Sequence, residues 1–327
     1  ILATCLIIPL LLLLAVQVAS AEPAIPADTP IPVVVETVDS WDVGSGMVYW
    51  GKDCFADEFG RSGYLKRRPV AGGTQRTLEV TDSSTCDMPF SLTAEDDGVY
   101  YFDLSENRIE RTSLSAPYAA EVVSTPANAD LPSFASLIDV AGDYVYWPVS
   151  AGGKVLRVLR GGGAPEAVAT GLDAPNSVTV VGNTVYIIDK SGIWSTSVSC
   201  DTLPCAKQRF VDFPANTTGR SLLYQRERLG RYSIYWAQRT TSGSTQTTSI
   251  FRYACSLVVN CNVNVIPPSL VYAAPSGWEL GGLASDGANL FWTESLGILG
   301  NTDGKVKRKP ISSGGAVDIA VNQTGID

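Results

Sequence analysis

Three carboxylic acids stand at matching positions along the chain and are the first side chains that suggest chemistry. Asp103, Asp189 and Glu294 each lie three residues after an aromatic residue of a repeated motif. Carboxylate oxygens are the ligands that calcium prefers in proteins. If the three side chains converge on one axis, they predict a calcium site. The sequence suggests no other cofactor.

The chain contains no histidine. This excludes a histidine general base, a Ser-His-Asp triad and a zinc ion held by histidine, whichever fold the chain adopts. No nucleophile motif is present either, so the residue types identify no catalytic group.

The repeated motif is an apolar residue, an aromatic residue and a third residue that is usually aromatic. Its copies follow one another at roughly 40 to 56 residues, the length of one β-propeller blade, and are Val48-Tyr49-Trp50, Val99-Tyr100-Tyr101, Val145-Tyr146-Trp147, Val185-Tyr186-Ile187, Ile234-Tyr235-Trp236 and Leu290-Phe291-Trp292. β-Branched and aromatic residues favour strands on a buried sheet surface. No long stretch has helical periodicity, which argues against an α/β fold.

Each motif copy lies in a larger frame that predicts four strands. A small apolar stretch and a tight turn such as Gly182-Asn183 precede it, and a strand of alternating apolar and basic residues follows it. A glycine pair such as Gly161-Gly162 then leads to a fourth apolar strand. The sequence therefore predicts an all-β propeller of four-stranded antiparallel blades over residues 33–327, with six blades favoured and seven as the alternative.

The sequence is compatible with several ways of completing the first and last blades. The tail from Val321 to Asp327 resembles the start of another inner strand. It is expected to complete the first blade or to open a seventh. The strand Val33-Val34-Val35-Glu36 is an alternative outer strand for the last blade.

The segment Leu290-Phe291-Trp292-Thr293-Glu294, followed by Gly304-Lys305-Val306-Lys307-Arg308, resembles the YWTD repeat of low-density-lipoprotein-receptor propellers. It is also similar to secreted bacterial propellers of the six-bladed, TolB-like kind. The resemblance covers nearly the whole mature chain, but each copy is loose. It implies that the acids at positions 103, 189 and 294 are structural and hydrogen-bond neighbouring backbone.

The cysteines test the blade frame. Seven are present, and six remain when Cys5, which lies in the apolar N-terminal segment, is left out. An even number of cysteines is typical of a protein that forms disulfides in an oxidising compartment. In blades 4 and 5 a pair of cysteines stands where the other blades have the glycine turn between the third and fourth strands. In such a hairpin the Cα atoms of facing residues are close enough for a disulfide. We therefore predict the disulfides Cys200–Cys205 and Cys255–Cys261, which leave Cys54 with Cys86 in loops on the same face of neighbouring blades. Metal or redox chemistry is the disfavoured alternative, since no Cys-x-x-Cys pair is present.

Propellers usually bind ligands where loops enter the innermost strands. We expect that rim about ten residues before the middle residue of each motif. Positions found in this way, together with aromatic residues close to them in sequence, are the candidate contacts: Asp39, Trp41, Phe90, Phe134, Ser136, Asn176, Gln225 and Trp278. Such a mixed polar and aromatic rim suits a small polar ligand, a glycan or a peptide. The alternative is ordinary loop packing around solvent. Trp278 is the strongest candidate contact, because exposed tryptophans often anchor interfaces.

The N-terminus indicates export. An apolar run from Leu6 to Val16 and small residues before Glu22 predict a signal peptide over residues 1–21, followed by a Pro/Ala-rich linker over 22–32. No second long apolar run follows, so no membrane span is expected after cleavage. The net charge of −9 argues against nucleic acid as a partner. The predicted location is secreted, periplasmic or on the cell surface.

Three functions fit these observations. The favoured one is a binding or scaffold module with a protein, peptide or glycan partner on the channel face. The second is a metal-dependent propeller hydrolase or lactonase, with oxygens from Asp39, Asn176 and Gln225 around a cation. The third is a structural module of a larger surface protein. The fold alone does not choose among them.

Overall fold

The six aromatic motifs form the second strand of six four-stranded antiparallel sheets, as the repeat predicts. The structure is a computed structural model. It describes residues 40–52, 56–57, 60–61, 64–70, 73–80, 89–103, 106–132, 137–226, 231–256, 267–296 and 304–323. The predicted signal peptide, the linker, the strand from Val33 to Glu36, and Cys54, Cys86 and Cys261 lie outside the described residues.

Each blade is one continuous segment, with its strands in sequence order from the channel outwards. Blade 1 consists of β1 (Ser40–Gly44), β2 (Met47–Lys52), β5 (Tyr64–Pro69) and β6 (Arg76–Val80), with a small hairpin of β3 (Ala56–Asp57) and β4 (Gly60–Arg61) between β2 and β5. Blade 2 consists of β7 (Pro89–Glu95), β8 (Gly98–Asp103), β9 (Arg108–Thr112) and β10 (Ala120–Ser124). A short 3₁₀ turn, Asn128–Asp130, leads to blade 3, made of β11 (Asp139–Ala141), β12 (Tyr144–Val149), β13 (Lys154–Leu159) and β14 (Glu166–Ala169).

The other three blades follow the same order. Blade 4 consists of β15 (Ser177–Val181), β16 (Thr184–Asp189), β17 (Gly192–Ser197) and β18 (Lys207–Asp212). Blade 5 consists of β19 (Thr217–Arg226), β20 (Arg231–Ser242), β21 (Thr245–Ser256) and β22 (Ser269–Ala273). Blade 6 consists of β23 (Glu279–Ser285), β24 (Asn289–Ser295), β25 (Gly304–Pro310) and β26 (Val317–Gln323).

The ring closes between blades 6 and 1. Each innermost strand contacts the innermost strand of the next blade, and β23 of blade 6 contacts β1. The prediction that the tail starts another inner strand is wrong, because Val321–Gln323 belong to β26, which pairs with β25 as the fourth strand of blade 6. Six blades, and not seven, form the ring.

Among the described residues the core forms six apolar clusters, one at each interface between adjacent blades; we call these interfaces seams. Successive side chains of a strand point to opposite faces, so each motif supplies two seams. In blade 1, Tyr49 packs towards blade 2 and Trp50 packs towards blade 6. The same division holds for Tyr146 and Trp147 in blade 3. This alternation explains why the motif repeats: each blade must present a large apolar residue to both neighbours.

The disulfide Cys200–Cys205 is confirmed, with Cα atoms 5.8 Å apart in the loop between the third and fourth strands of blade 4. Cys255, next to the last residue of the third strand of blade 5, is also disulfide-bonded. Its predicted partner and the predicted Cys54–Cys86 pair are not described, so these two pairings stay predictions. No helix among the described residues is long and apolar enough to cross a membrane.

Candidate functional site

The ring has two faces that the strand directions define. We call the entry face the end where the chain enters the innermost strands, and the turn face the end with the hairpins between first and second strands. Asn176, directly before β15, lies on the entry face, and the turn at Gly182-Asn183 lies on the turn face. The rim predicted from the sequence corresponds to the entry face.

The structure brings together only part of that predicted rim. Asp39, Phe134 and Ser136 lie outside the described residues. Trp41 lies on β1 and packs in the seam between blades 6 and 1, where its indole lies close to Gly282. Phe90 is half-buried near the start of β7. The amide of Asn176 donates a hydrogen bond to the carbonyl oxygen of Gly219, at 2.8 Å, across the seam between blades 4 and 5.

Gln225 lies near the opposite face from Asn176. It pairs with Ser233 close to the turn between β19 and β20, and its side chain donates to the backbone oxygen of Arg226. Counting ten residues back fails in this blade because β19 and β20 extend further towards the turn face than the strands of other blades. The oxygens proposed for a hydrolase therefore do not gather, since Asn176 and Gln225 lie at opposite ends of the ring.

The three acids with matching positions also do not converge. Asp103, Asp189 and Glu294 are 0%, 1% and 1% exposed. Asp189 accepts hydrogen bonds from the backbone of Asp173, Ser191 and Gly192 and from the indole of Trp194. Glu294 accepts from the indole of Trp292 and lies 3.6 Å from the ammonium of Lys307.

Asp103 follows the same pattern, since it accepts a backbone hydrogen bond from Glu106. Each acid thus bonds groups in or beside its own blade: backbone N–H groups for Asp103 and Asp189, and side chains for Glu294. Among the described residues, no group of three or more His, Cys, Asp or Glu side chains is arranged to hold a metal ion.

Trp278 lies in a cluster of charged side chains on the entry face between blades 5 and 6. It is half-buried in the loop that leads into β23, and the ammonium of Lys305 lies 4.6 Å from its ring centroid. The next residue, Glu279, accepts hydrogen bonds from two arginines of blade 5, Arg220 at 3.3 Å and Arg239 at 3.2 Å. We call these five residues the mouth cluster.

A long hairpin rises beside the mouth cluster. β20 has 12 residues, and its last four, from position 239 to 242, continue past the level at which four of the other five second strands end. At about 3.4 Å per residue this extension is roughly 14 Å long. Thr248, near its base, donates to the backbone oxygen of Trp278 at 2.9 Å. Eight of the ten residues 240–249 are serine or threonine, and none is charged.

Three carboxylic acids lie nearer the turn face than the mouth cluster does. Asp42, Glu95 and Asp139 lie on the innermost strands of blades 1, 2 and 3. Burial raises the pKa of Asp42 and of Asp139 to about 7, and repulsion from Glu95 adds to both shifts. Burial also raises the pKa of Glu95, although Arg160 donates a hydrogen bond to it at 3.0 Å.

The mouth cluster is largely absent from the sequence prediction. Trp278 was predicted, but Arg220, Arg239, Glu279 and Lys305 were not, because they come from four separate strands that only the ring brings together. One feature of the sequence does point to this place: the run between Arg239 and Arg252 is uncharged and rich in hydroxyl groups, and it departs from the strand pattern of the other blades. It marks the blade whose entry face differs from the others.

No protein-family model and no curated protein sequence matches the chain. Solved structures do match it. A protein from Lactobacillus plantarum is 13% identical, with a TM-score of 0.51, over 88% of this chain and 85% of that one. A putative 6-phosphogluconolactonase from Bacteroides fragilis is 13% identical, with a TM-score of 0.50, over 86% and 82%.

A chain of a nidogen/laminin complex is 15% identical, with a TM-score of 0.48, over 80% of this chain and 90% of that one. At identities of 13%, the likeness to the two structures with TM-scores of 0.51 and 0.50 concerns the fold alone.

Proposed function

We propose that this protein is a secreted glycan-binding propeller whose ligand lies on the entry face against Trp278 and the hairpin of residues 239–248. Secretion rests on the predicted signal peptide over residues 1–21 and on the disulfide Cys200–Cys205. The proposal places the chain among secreted relatives of YWTD-type and TolB-like propellers, and its acidic charge disfavours nucleic acid as the ligand.

The proposal depends on one observation: the half-buried Trp278 lies next to a hairpin that is rich in serine and threonine hydroxyl groups. Residues 242–247 of the hairpin are all exposed, and their serine, threonine and glutamine side chains both donate and accept hydrogen bonds. Sugar hydroxyls need such partners, while the apolar face of a sugar ring suits an indole. The geometry therefore fits a ligand with many hydroxyl groups.

The chemistry of the entry face favours a glycan over a protein partner. Protein interfaces are usually centred on a desolvated apolar cluster. The large aliphatic side chains that are exposed among the described residues lie instead on the third and fourth strands, at the outside of the ring; they are Val122, Leu159, Leu270 and Val317. The mouth cluster contains none of them.

The test is a glycan array probed with the oxidised chain 22–327, followed by titration calorimetry of any polymer that binds. Trp278→Ala is expected to weaken binding at least tenfold, and Trp278→Phe, which keeps an aromatic ring, is expected to restore most of it. A melting curve of each variant checks that the ring is intact. The proposal is wrong if no glycan binds, or if a folded Trp278→Ala variant binds as tightly as the unchanged protein.

A further inference from the structure

The mouth cluster contains two arginines that share a single carboxylate. Arg220 comes from β19 and Arg239 from β20, and each donates from its Nη1 to a different oxygen of Glu279. An arginine has five N–H donors. Within the described part of the chain these are the only hydrogen bonds that either guanidinium makes, so both keep donors for a ligand.

Both arginines are accessible from the entry face. Their side chains are 39% and 28% exposed, while Glu279 between them is 24% exposed. The ammonium of Lys305, 31% exposed, lies over the Trp278 ring and 3.5 Å from the carboxylate of Asp318. The cluster thus contains three cations, with Glu279 and the adjacent Asp318 as their counter-charges, in a chain whose net charge is −9.

We infer that the glycan bound at this face carries a carboxylate or sulfate group, which Arg220 and Arg239 recognise beside Trp278. This inference rests on the proposed function and adds the ligand's charge to it. The planar guanidinium matches carboxylate and sulfate oxygens with paired hydrogen bonds, and such charge-assisted bonds are about twice as strong as neutral ones. Glu279 holds the two arginines in place in the absence of ligand and competes with the anionic group for them.

The experiment compares polymers that differ only in charge. Polygalacturonate is paired with its methyl ester, and hyaluronan with its carboxyl-reduced form, at one fixed ionic strength. We expect the acidic form of at least one pair to bind at least tenfold more tightly than its neutral form. The double variant R220Q/R239Q should reduce that ratio below threefold. Arg226→Gln, on the same strand but at the turn face, is the matched control and should leave the ratio unchanged.

Glu279→Gln is a second test that keeps both arginines. Removing the competing carboxylate should raise the affinity for the acidic polymer several-fold and leave the affinity for the neutral polymer unchanged. An unchanged or weaker affinity for the acidic polymer contradicts the inference, whether or not the double arginine variant folds.

Different results would contradict the negative charge of the ligand and the glycan-binding function itself. Equal binding of acidic and neutral forms, lost in Trp278→Ala, overturns the charge inference and supports the glycan-binding function. Absence of binding to every glycan on the array overturns the glycan-binding function and the inference with it.

Discussion

The carboxylate of Asp42 in blade 1 accepts a hydrogen bond from the backbone nitrogen of Ala94 in blade 2, at 2.8 Å. Both residues lie on innermost strands, whose inner edge has no neighbouring strand to bond with. A short polar side chain of one blade therefore completes the hydrogen bonding of the next. The bond ties the two blades together at the channel wall.

Equivalent bonds cross other seams of the ring. Ile138 donates to the hydroxyl of Ser91, Val180 to the carboxylate of Asp139, and Leu222 to the hydroxyl of Ser177, at 2.7, 2.7 and 2.8 Å. The hydroxyl of Ser221 donates to the backbone oxygen at position 281, at 3.1 Å. Apolar packing fills each seam, and these polar bonds fix the position of one blade against the next.

The two acids among these side chains predict how stability depends on pH. Burial raises the pKa of Asp42 and Asp139 to about 7, so the folded protein holds their protons more tightly than the unfolded chain does. The stabilisation that comes from these two bound protons is fully present at pH values below the ordinary pKa of a carboxyl group, and it is lost as the pH rises through 7. We expect the melting temperature to fall between pH 5 and pH 8.

Substitution separates this effect from other titrations. The double variant D42N/D139N should flatten the dependence over that window. It should also be less stable than the unchanged protein at pH 8, because each carboxylate accepts one backbone N–H on each oxygen and the amide nitrogen of asparagine cannot accept. Asp143→Asn, at an exposed turn between β11 and β12, is the control and should leave the slope unchanged. A slope that persists in D42N/D139N would contradict the assignment. Glu95, which faces both acids, is the remaining group to test in that case.

Ser177 predicts the strength of a single bond across a seam. Its side chain is fully buried, and its hydroxyl accepts the backbone N–H of Leu222. Ser177→Ala removes the acceptor and leaves a buried donor unsatisfied, which costs about 1–3 kcal/mol. Chemical denaturation should show this loss. Ser197→Ala removes only solvent-exposed hydrogen bonds, to the backbone of Ser199 and the side chain of Asn183, and should change stability by less than about 0.5 kcal/mol. Equal effects of the two substitutions would show that the seam bond has no special role.

The sequence predicts the ring well because its signal is local and repeated. The motif Val48-Tyr49-Trp50 already contains the alternation that fills two seams, and the cysteine pair 200–205 replaces a turn whose place the repeat defines. The tail was misassigned because strands at the start and end of a blade have similar apolar patterns. Only the pairing of β26 with β25 decides between them.

The candidate site is harder to predict because it depends on distances across the ring. Glu279 and Arg220 are 59 positions apart, and no local pattern indicates that their side chains meet. Gln225 was misplaced for a related reason, since a fixed count cannot reveal that β19 and β20 are longer in blade 5. Loop and strand lengths vary between blades, and these variations create the site.

The disulfide Cys200–Cys205 offers a test that separates stability from binding. It closes a loop with a sequence separation of 5 on the turn face, away from the mouth cluster. A loop this short contributes about 2 kcal/mol in the chain-entropy treatment. The double variant C200S/C205S should therefore melt at a lower temperature and bind glycan with unchanged affinity. A loss of affinity in the folded variant would place the ligand on the turn face and contradict the proposed site.

Calcium removal tests the interpretation of Asp103, Asp189 and Glu294. Their carboxylates are buried and bonded to groups in or beside their own blades, so they are unsuited to share one cation. A ligand that binds only the folded state raises stability by about 2.7 kcal/mol at a hundredfold excess over its Kd. We expect no such rise: melting curves with a chelator and with millimolar calcium should coincide. If calcium raises the melting temperature by several degrees, and Asp189→Asn removes that rise, these acids hold a metal ion and the structural role assigned to them is wrong. A rise that Asp189→Asn leaves intact would place the ion elsewhere in the chain.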